Sequence, residues 1–171
     1  MKIRDQQAGD RTAIRDVVQA AFATAEHRSG TEGAIVDALR AAAMLTVSLV
    51  VDEDGELLGH IAFSPVRIDG RDGGWYGLGP LSVRPDRHKQ GIGAALVAEG
   101  IARLRALGAQ GCVVLGDPGY YGRFGFVQDA GLRLAGVPPQ HFLRLMIAGE
   151  PARGMVAYHA AFDAARASAQ R

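Results

Sequence analysis

The sequence predicts a mixed α/β fold, and three observations carry that prediction. Apolar side chains recur at alternate positions in several early stretches, the period of a strand. Those stretches are separated by compact glycine turns, which favour an antiparallel meander. After Val83 the period changes to that of a helix: Leu96, Val97, Gly100, Ile101, Leu104 and Leu107 fall within one arc, and the wholly apolar run Cys112–Leu115 follows. A helix from 91 to 107 therefore crosses over to a buried strand near 112.

Taken in order, Lys2 to Gln6 reads as a first strand. Gly9-Asp10 offers a helix start, and Ile14, Val17, Val18, Ala21 and Phe22 form an apolar stripe on the helix that follows. A loop at 25–30 leads to a second helix over 31–40, with Ile35, Val36 and Leu39 turned inward. The β-branched run Met44–Val51, the turn Asp52–Gly55 and the stretch Glu56–Arg67 make a hairpin. A second glycine-rich turn at Ile68–Gly74 precedes the strand Trp75–Val83, which Pro85 ends. Beyond Phe126 the pattern thins: Leu132–Leu134, Phe142–Ile147 and Met155–Tyr158 read as late strands, with Pro138-Pro139 breaking the first from the second, before an alanine-rich end.

Bulk properties narrow the function classes. At 171 residues the chain suits one domain, spanning 1–171, with a full core. A formal net charge of +1 gives no support for a nucleic-acid partner or a membrane surface. The one cysteine, Cys112, rules out an intramolecular disulfide and sits in an apolar run, the setting of an unreactive thiol. No signal peptide or membrane-length apolar run is visible, so the expected location is cytoplasmic. The five histidines, at 27, 60, 88, 141 and 159, show no metal-ligand spacing.

The chemistry concentrates in the turn between strand and helix, residues 84–94. A helix start leaves backbone N–H groups without intrahelical partners, and the helix dipole makes that end partly positive. Gly91 and Gly93 carry no Cβ, so a ligand can come close to the main chain. Arg84, Arg87 and Lys89 add charge around the same point. The expected ligand is an anion, a phosphate or pyrophosphate. Two familiar phosphate loops fail here. No Gly-x-x-x-x-Gly-Lys followed by Ser or Thr is present, and the dinucleotide fingerprint has Leu96 where its third glycine belongs.

The segment Val83-x-Pro85-x-x-His88-x-x-Gly91-Ile92-Gly93-x-x-Leu96 resembles the acyl-CoA-binding motif of the GNAT acetyltransferase superfamily, with His88 where the family usually has Arg or Gln. Downstream, Tyr121-x-x-Phe124-Gly125-Phe126 resembles that family's Tyr-x-x-Leu/Phe-Gly-Phe segment. The resemblance implies a GNAT fold, a central mostly antiparallel twisted sheet flanked by helices and splayed at the acyl-CoA site. It implies acetyl-CoA as cosubstrate, held by Leu81, Ser82, Val83, His88, Lys89, Gln90, Gly91, Ile92, Gly93 and Ala94, with Gly77, Gly79 and Pro80 suited to the family's strand bulge. Tyr121 takes the general-acid position, with Tyr120 beside it as the alternative. The implied reaction is direct attack of a primary amine, small-molecule or peptidyl, on the thioester. The base stays open among Glu26, Glu32, His60, Asp117 and water, with His27 beside Glu26 in the loop where the family places its acceptor. Glu32 also suits a helix start, and Asp117 a turn cap. A homodimer is left open, and the competing function is a non-catalytic acyl-CoA-binding sensor or interaction module.

Overall fold

A computed structural model describes residues 1–23 and 32–163. The strands are β1 (Lys2–Asp5), β2 (Val47–Glu53), β3 (Glu56–Ile68), β4 (Arg71–Val83), β5 (Gly111–Leu115), β6 (Val127–Gln128), β7 (Leu132–Arg133), β8 (Phe142–Met146) and β9 (Gly154–Ala157). The helices are α1 (Arg11–Ala23), α2 (Glu32–Ala41), α3 (Ile92–Ala106) and the single turn α4 (Pro118–Tyr121). The main sheet runs β1-β2-β3-β4-β5-β8-β6, with β9 joined to the far end of β3 and to β7. Pairing is antiparallel except at β4–β5 and β7–β9. The antiparallel meander and the crossover to a strand at 112 are thus present as read.

Both predicted turns are tighter than expected. Asp54-Gly55 and Asp69-Gly70 each have positive φ at both residues, the backbone of a two-residue hairpin turn that matches strand twist. The chain can therefore reverse in two residues, and β2 continues to Glu53 while β4 begins at Arg71 rather than Trp75. The helical turn α4 and the short strand β6 have no periodic signal of their own; neither is long enough to show one.

Strand alternation places helices on both faces of the sheet. Val50 and Leu57 join Ile14, Val17, Val18 and Val36 beneath α1 and α2. Leu49, Ile61 and Phe63 pack with Ile92, Leu96, Val97, Ile101 and Leu104 of α3 on the other face. Gly100 in α3 is where the Phe63 ring lies against the helix backbone, leaving no room for a Cβ.

The functional consequence of the sheet lies in β4. Ile61 pairs with Leu81 and Phe63 with Leu78, so Ala62 alone faces both Gly79 and Pro80. This is the bulge the glycines and proline suggested. Pairing with β5 also stops at Leu78↔Val114, so residues 79–83 of β4 run on without a β5 partner. The two parallel strands part there, opening the sheet directly before the turn into α3.

Candidate active site

At the end of β4 the chain passes through a short 3-10 turn, Pro85–Arg87, and then through Lys89 (φ 64°) and Gly91 (φ 79°), both left-handed. Gly91 is the N-cap of α3 and offers no side chain; the first helical bond runs from the Ala95 N–H to the Gly91 carbonyl. The amides of Ile92, Gly93 and Ala94 therefore have no partner within the helix. A Cβ on Gly91 would meet open space, whereas one on Gly93 would stand 2.7 Å from the Tyr120 hydroxyl.

These groups border a cavity of about 510 Å³ lined by Leu81, Val83, Arg87, His88, Lys89, Gly91, Ile92, Gly93 and Ala94, with Ala21 and Phe22 of α1 and Tyr120 and Arg123 opposite. Most of the residues expected to bind the cofactor are thus together. Ser82 and Gln90 do not line it. Ser82 pairs with His60, which pairs with Val50, so alternation turns its side chain to the α1/α2 face, where it is 1% exposed.

The expected cluster of free cations is altered by pairing. Arg84 does not border the cavity; its guanidinium lies 2.8 Å from Asp86 and 3.4 Å from Glu56. Arg87 holds Glu53 at 2.6 Å. His88 turns back and donates Nε2–H to the Val83 carbonyl at 3.0 Å, tying the turn to the strand end. Lys89 has no ion pair among the described residues.

The two tyrosines are separated by function of place. Tyr120 reaches into the cavity. Tyr121 does not line it; its ring packs against Gly116, just past the end of β5, and stands edge-on to Tyr120 (5.0 Å between centroids) and to Phe126 (5.8 Å). Gly116 is needed there, since a Cβ would enter the Tyr121 ring. Burial holds the phenols of both above their ordinary pKa, Tyr121 more strongly, so each stays protonated at neutral pH.

The base candidates separate as well. Asp117 accepts the Gly119 N–H at 2.9 Å and caps α4. Glu32 lies in the first turn of α2. His60 is fully buried, with Nε2 2.8 Å from the Ser48 hydroxyl, which in turn donates to Gln6 Oε1 at 2.6 Å. Since that hydroxyl proton is committed, His60 Nε2 carries the donated hydrogen and Nδ1 is bare and unpartnered. Burial, aided by the charge of Arg40, pushes its pKa down to about 3. Glu26 and His27 lie outside the described residues. Among the described residues no group of acidic, histidine or cysteine side chains is placed to hold a metal ion. Sequence reasoning missed Phe22, which it placed in an apolar stripe, and Arg123, whose one clue was its position three residues after Tyr120.

A strand that parts from its parallel neighbour leads straight into a glycine helix start with open amides, an arrangement that can seat an anion. The chain belongs to the acetyltransferase (GNAT) family, whose model it matches over residues 12–126. It is similar to the uncharacterized N-acetyltransferase YhbS of Escherichia coli K12, 42% identical over 99 residues, a match covering 57% of this chain and 59% of that protein's length. Among solved structures it resembles a GNAT family acetyltransferase from Brucella melitensis in complex with acetyl-CoA, at 52% identity and a TM-score of 0.86, covering 95% of this chain and 97% of that one. It also resembles E. coli YhbS in complex with CoA, at 34% identity and a TM-score of 0.86, covering 95% and 91% of the respective chains. Among the described residues no helix is long and apolar enough to cross a membrane.

Proposed function

We propose that the protein is an N-acetyltransferase that moves an acetyl group from acetyl-CoA to a primary amine of a small molecule or peptide by direct attack. One observation carries this most directly: the open amides at Gly91–Ala94 border a cavity at the point where β4 leaves β5. The pyrophosphate sits on those amides, and the pantetheine arm runs back along residues 79–83. The amine lone pair attacks the thioester carbonyl, the C–N bond forms, and the C–S bond breaks. Tyr121 gives its proton to the departing thiolate, and the amine's proton leaves through water. Of the other base candidates, His60 is held bare and neutral by burial and Asp117 is spent on a helix cap. The whole chain acts as one cytoplasmic domain, alone or as a homodimer; sedimentation would show a dimer at twice 18.0 kDa.

Screening amines for free-thiol release from acetyl-CoA tests the reaction. Release that depends on an added amine is expected. Acetyl-CoA binding with no release across a broad amine panel would favour a non-catalytic acyl-CoA sensor instead. Gly91→Val and Gly93→Val are both expected to abolish acetyl-CoA binding in a titration while the fold persists. At position 93 the added side chain displaces the Tyr120 hydroxyl. At position 91 a β-branched residue in a left-handed conformation also costs stability, about 1–2 kcal/mol. Unchanged affinity in both variants would place the pyrophosphate elsewhere.

A further inference from the structure

The glycine turn is short of free positive charge for the ligand it is proposed to hold. Arg84 is committed to Asp86 and Glu56, Arg87 to Glu53, and the His88 ring to the Val83 carbonyl. A pyrophosphate set on three backbone amides and Lys89 would leave much of its charge without a cation.

Across the cavity stands a cation on a prepared support. Arg123 Nε donates to the Tyr120 carbonyl at 3.2 Å, and its guanidinium lies 4.5 Å over the Tyr120 ring and 5.3 Å from the Phe124 ring centre. The carbonyl and two ring faces restrain the otherwise mobile side chain, so little rotamer entropy is left to lose on binding. Its terminal nitrogens make no ion pair among the described residues, and the side chain borders the cavity. Tyr120 serves twice. Its carbonyl and ring hold Arg123, and its hydroxyl extends to Gly93, beside the open amides.

Resting on the acyl-CoA reading of this cavity, we propose that Tyr120 and Arg123 form the second wall of the phosphate site. Arg123 supplies the cation that position 88 does not, pairing through its forked N–H groups with a phosphate of the cofactor, and the Tyr120 hydroxyl donates to the phosphate held over Gly93. The cofactor is thereby gripped from both sides, by α3 amides below and by the 120–123 turn above. Tyr120 is then a binding residue, which leaves the acid role to its neighbour.

Calorimetric titration of the intact protein with acetyl-CoA, 3′-dephospho-acetyl-CoA and S-acetyl-pantetheine, each at two or more salt concentrations, tests this. Arg123→Ala is expected to weaken acetyl-CoA tenfold or more, to flatten the salt dependence of its affinity, and to leave S-acetyl-pantetheine, which has no phosphate, unaffected. Arg123→Lys should recover part of the loss. Tyr120→Phe keeps the ring and the carbonyl, so it should keep the salt dependence and weaken acetyl-CoA about fivefold, the scale of one hydrogen bond. A loss in Arg123→Ala that persists with the dephospho compound assigns Arg123 to the pyrophosphate; a loss that vanishes assigns it to the 3′-phosphate, and either supports the phosphate wall. Equal acetyl-CoA affinity and salt dependence in wild type and Arg123→Ala would overturn it. So would an equal loss toward S-acetyl-pantetheine, which marks a structural role only. If wild type itself fails to bind acetyl-CoA, the acyl-CoA reading falls first, and with it this one.

Discussion

Tyr121→Phe is expected to lower kcat by roughly 10²-fold or more while leaving acetyl-CoA affinity nearly intact. The substitution removes one hydroxyl and keeps the ring that lies on Gly116 and edges against Tyr120 and Phe126. Packing is therefore preserved, and what is lost is the proton proposed for the thiolate. Burial raises the Tyr121 pKa above its usual value of about 10, so the phenol stays protonated through the neutral and mildly alkaline range. The kcat profile of the wild type should accordingly show no alkaline fall from phenol ionisation at the usual value. Tyr120→Phe is expected to give the contrasting pattern, a raised KM for acetyl-CoA with kcat little changed, because its hydroxyl stands over Gly93, beside the amides proposed to hold the pyrophosphate. Steady-state rates with any accepted amine separate the two. Loss of kcat in Tyr120→Phe alone would shift the register of the Tyr-x-x-Phe-Gly-Phe segment by one, and unchanged kcat in both would leave water as the acid.

Acid destabilisation should begin well above the carboxylate range, and His60 should be its cause. Its folded pKa is pushed down to about 3 by burial, while in the unfolded chain it returns to 6.5. Above pH 6.5 the group is neutral in both states and costs nothing. As pH falls toward 3 the unfolded chain takes up a proton that the folded protein refuses, so stability is lost across that window. At pH 5 the loss is on the order of 2 kcal/mol, or about 4–8 °C in thermal midpoint. Asp10, held low by Arg4, and Asp129, held low by the Gly131 N–H and Arg144, weaken the fold only further down, below their ordinary value of 3.8. The interval from pH 6.5 to 5 is thus the clean test. His60→Gln keeps a donor for the Ser48 hydroxyl without titrating, and its midpoint should stay level across that interval. The wild-type slope persisting in His60→Gln would assign the acid sensitivity to another group.

His60 and Ser82 also show where reading the chain reached its limit. On the sequence both sit in alternating strands, His60 as a base candidate and Ser82 beside the phosphate turn. The register Val50↔His60↔Ser82 places both on the α1/α2 face, sealed from the cavity. Registers come from pairing between strands distant in sequence, so neither orientation could be read from one strand alone. Likewise Arg87 reads as a free cation because its partner, Glu53, lies far back along the chain, whereas the nearer partner of Arg84, Asp86, is two residues away and only the fold shows that the pair forms.

By itself the sequence determined what depends on local covalent character. Periodicity set the meander and the crossover helix, Asp-Gly pairs set the hairpin turns, Gly79-Pro80 set the bulge, and Gly91 with Gly93 set the open helix start. Each follows from which backbone shapes a residue permits and which face it can bury. Tertiary structure alone decided at which residue β4 leaves β5, the closure of the cavity by Phe22, the pairing of the cations, and the different places of the adjacent tyrosines. Those are matters of which distant groups meet. Two neighbouring phenols with the same chemistry differ only because Gly116 accepts one ring and Gly93 leaves space for the other's hydroxyl.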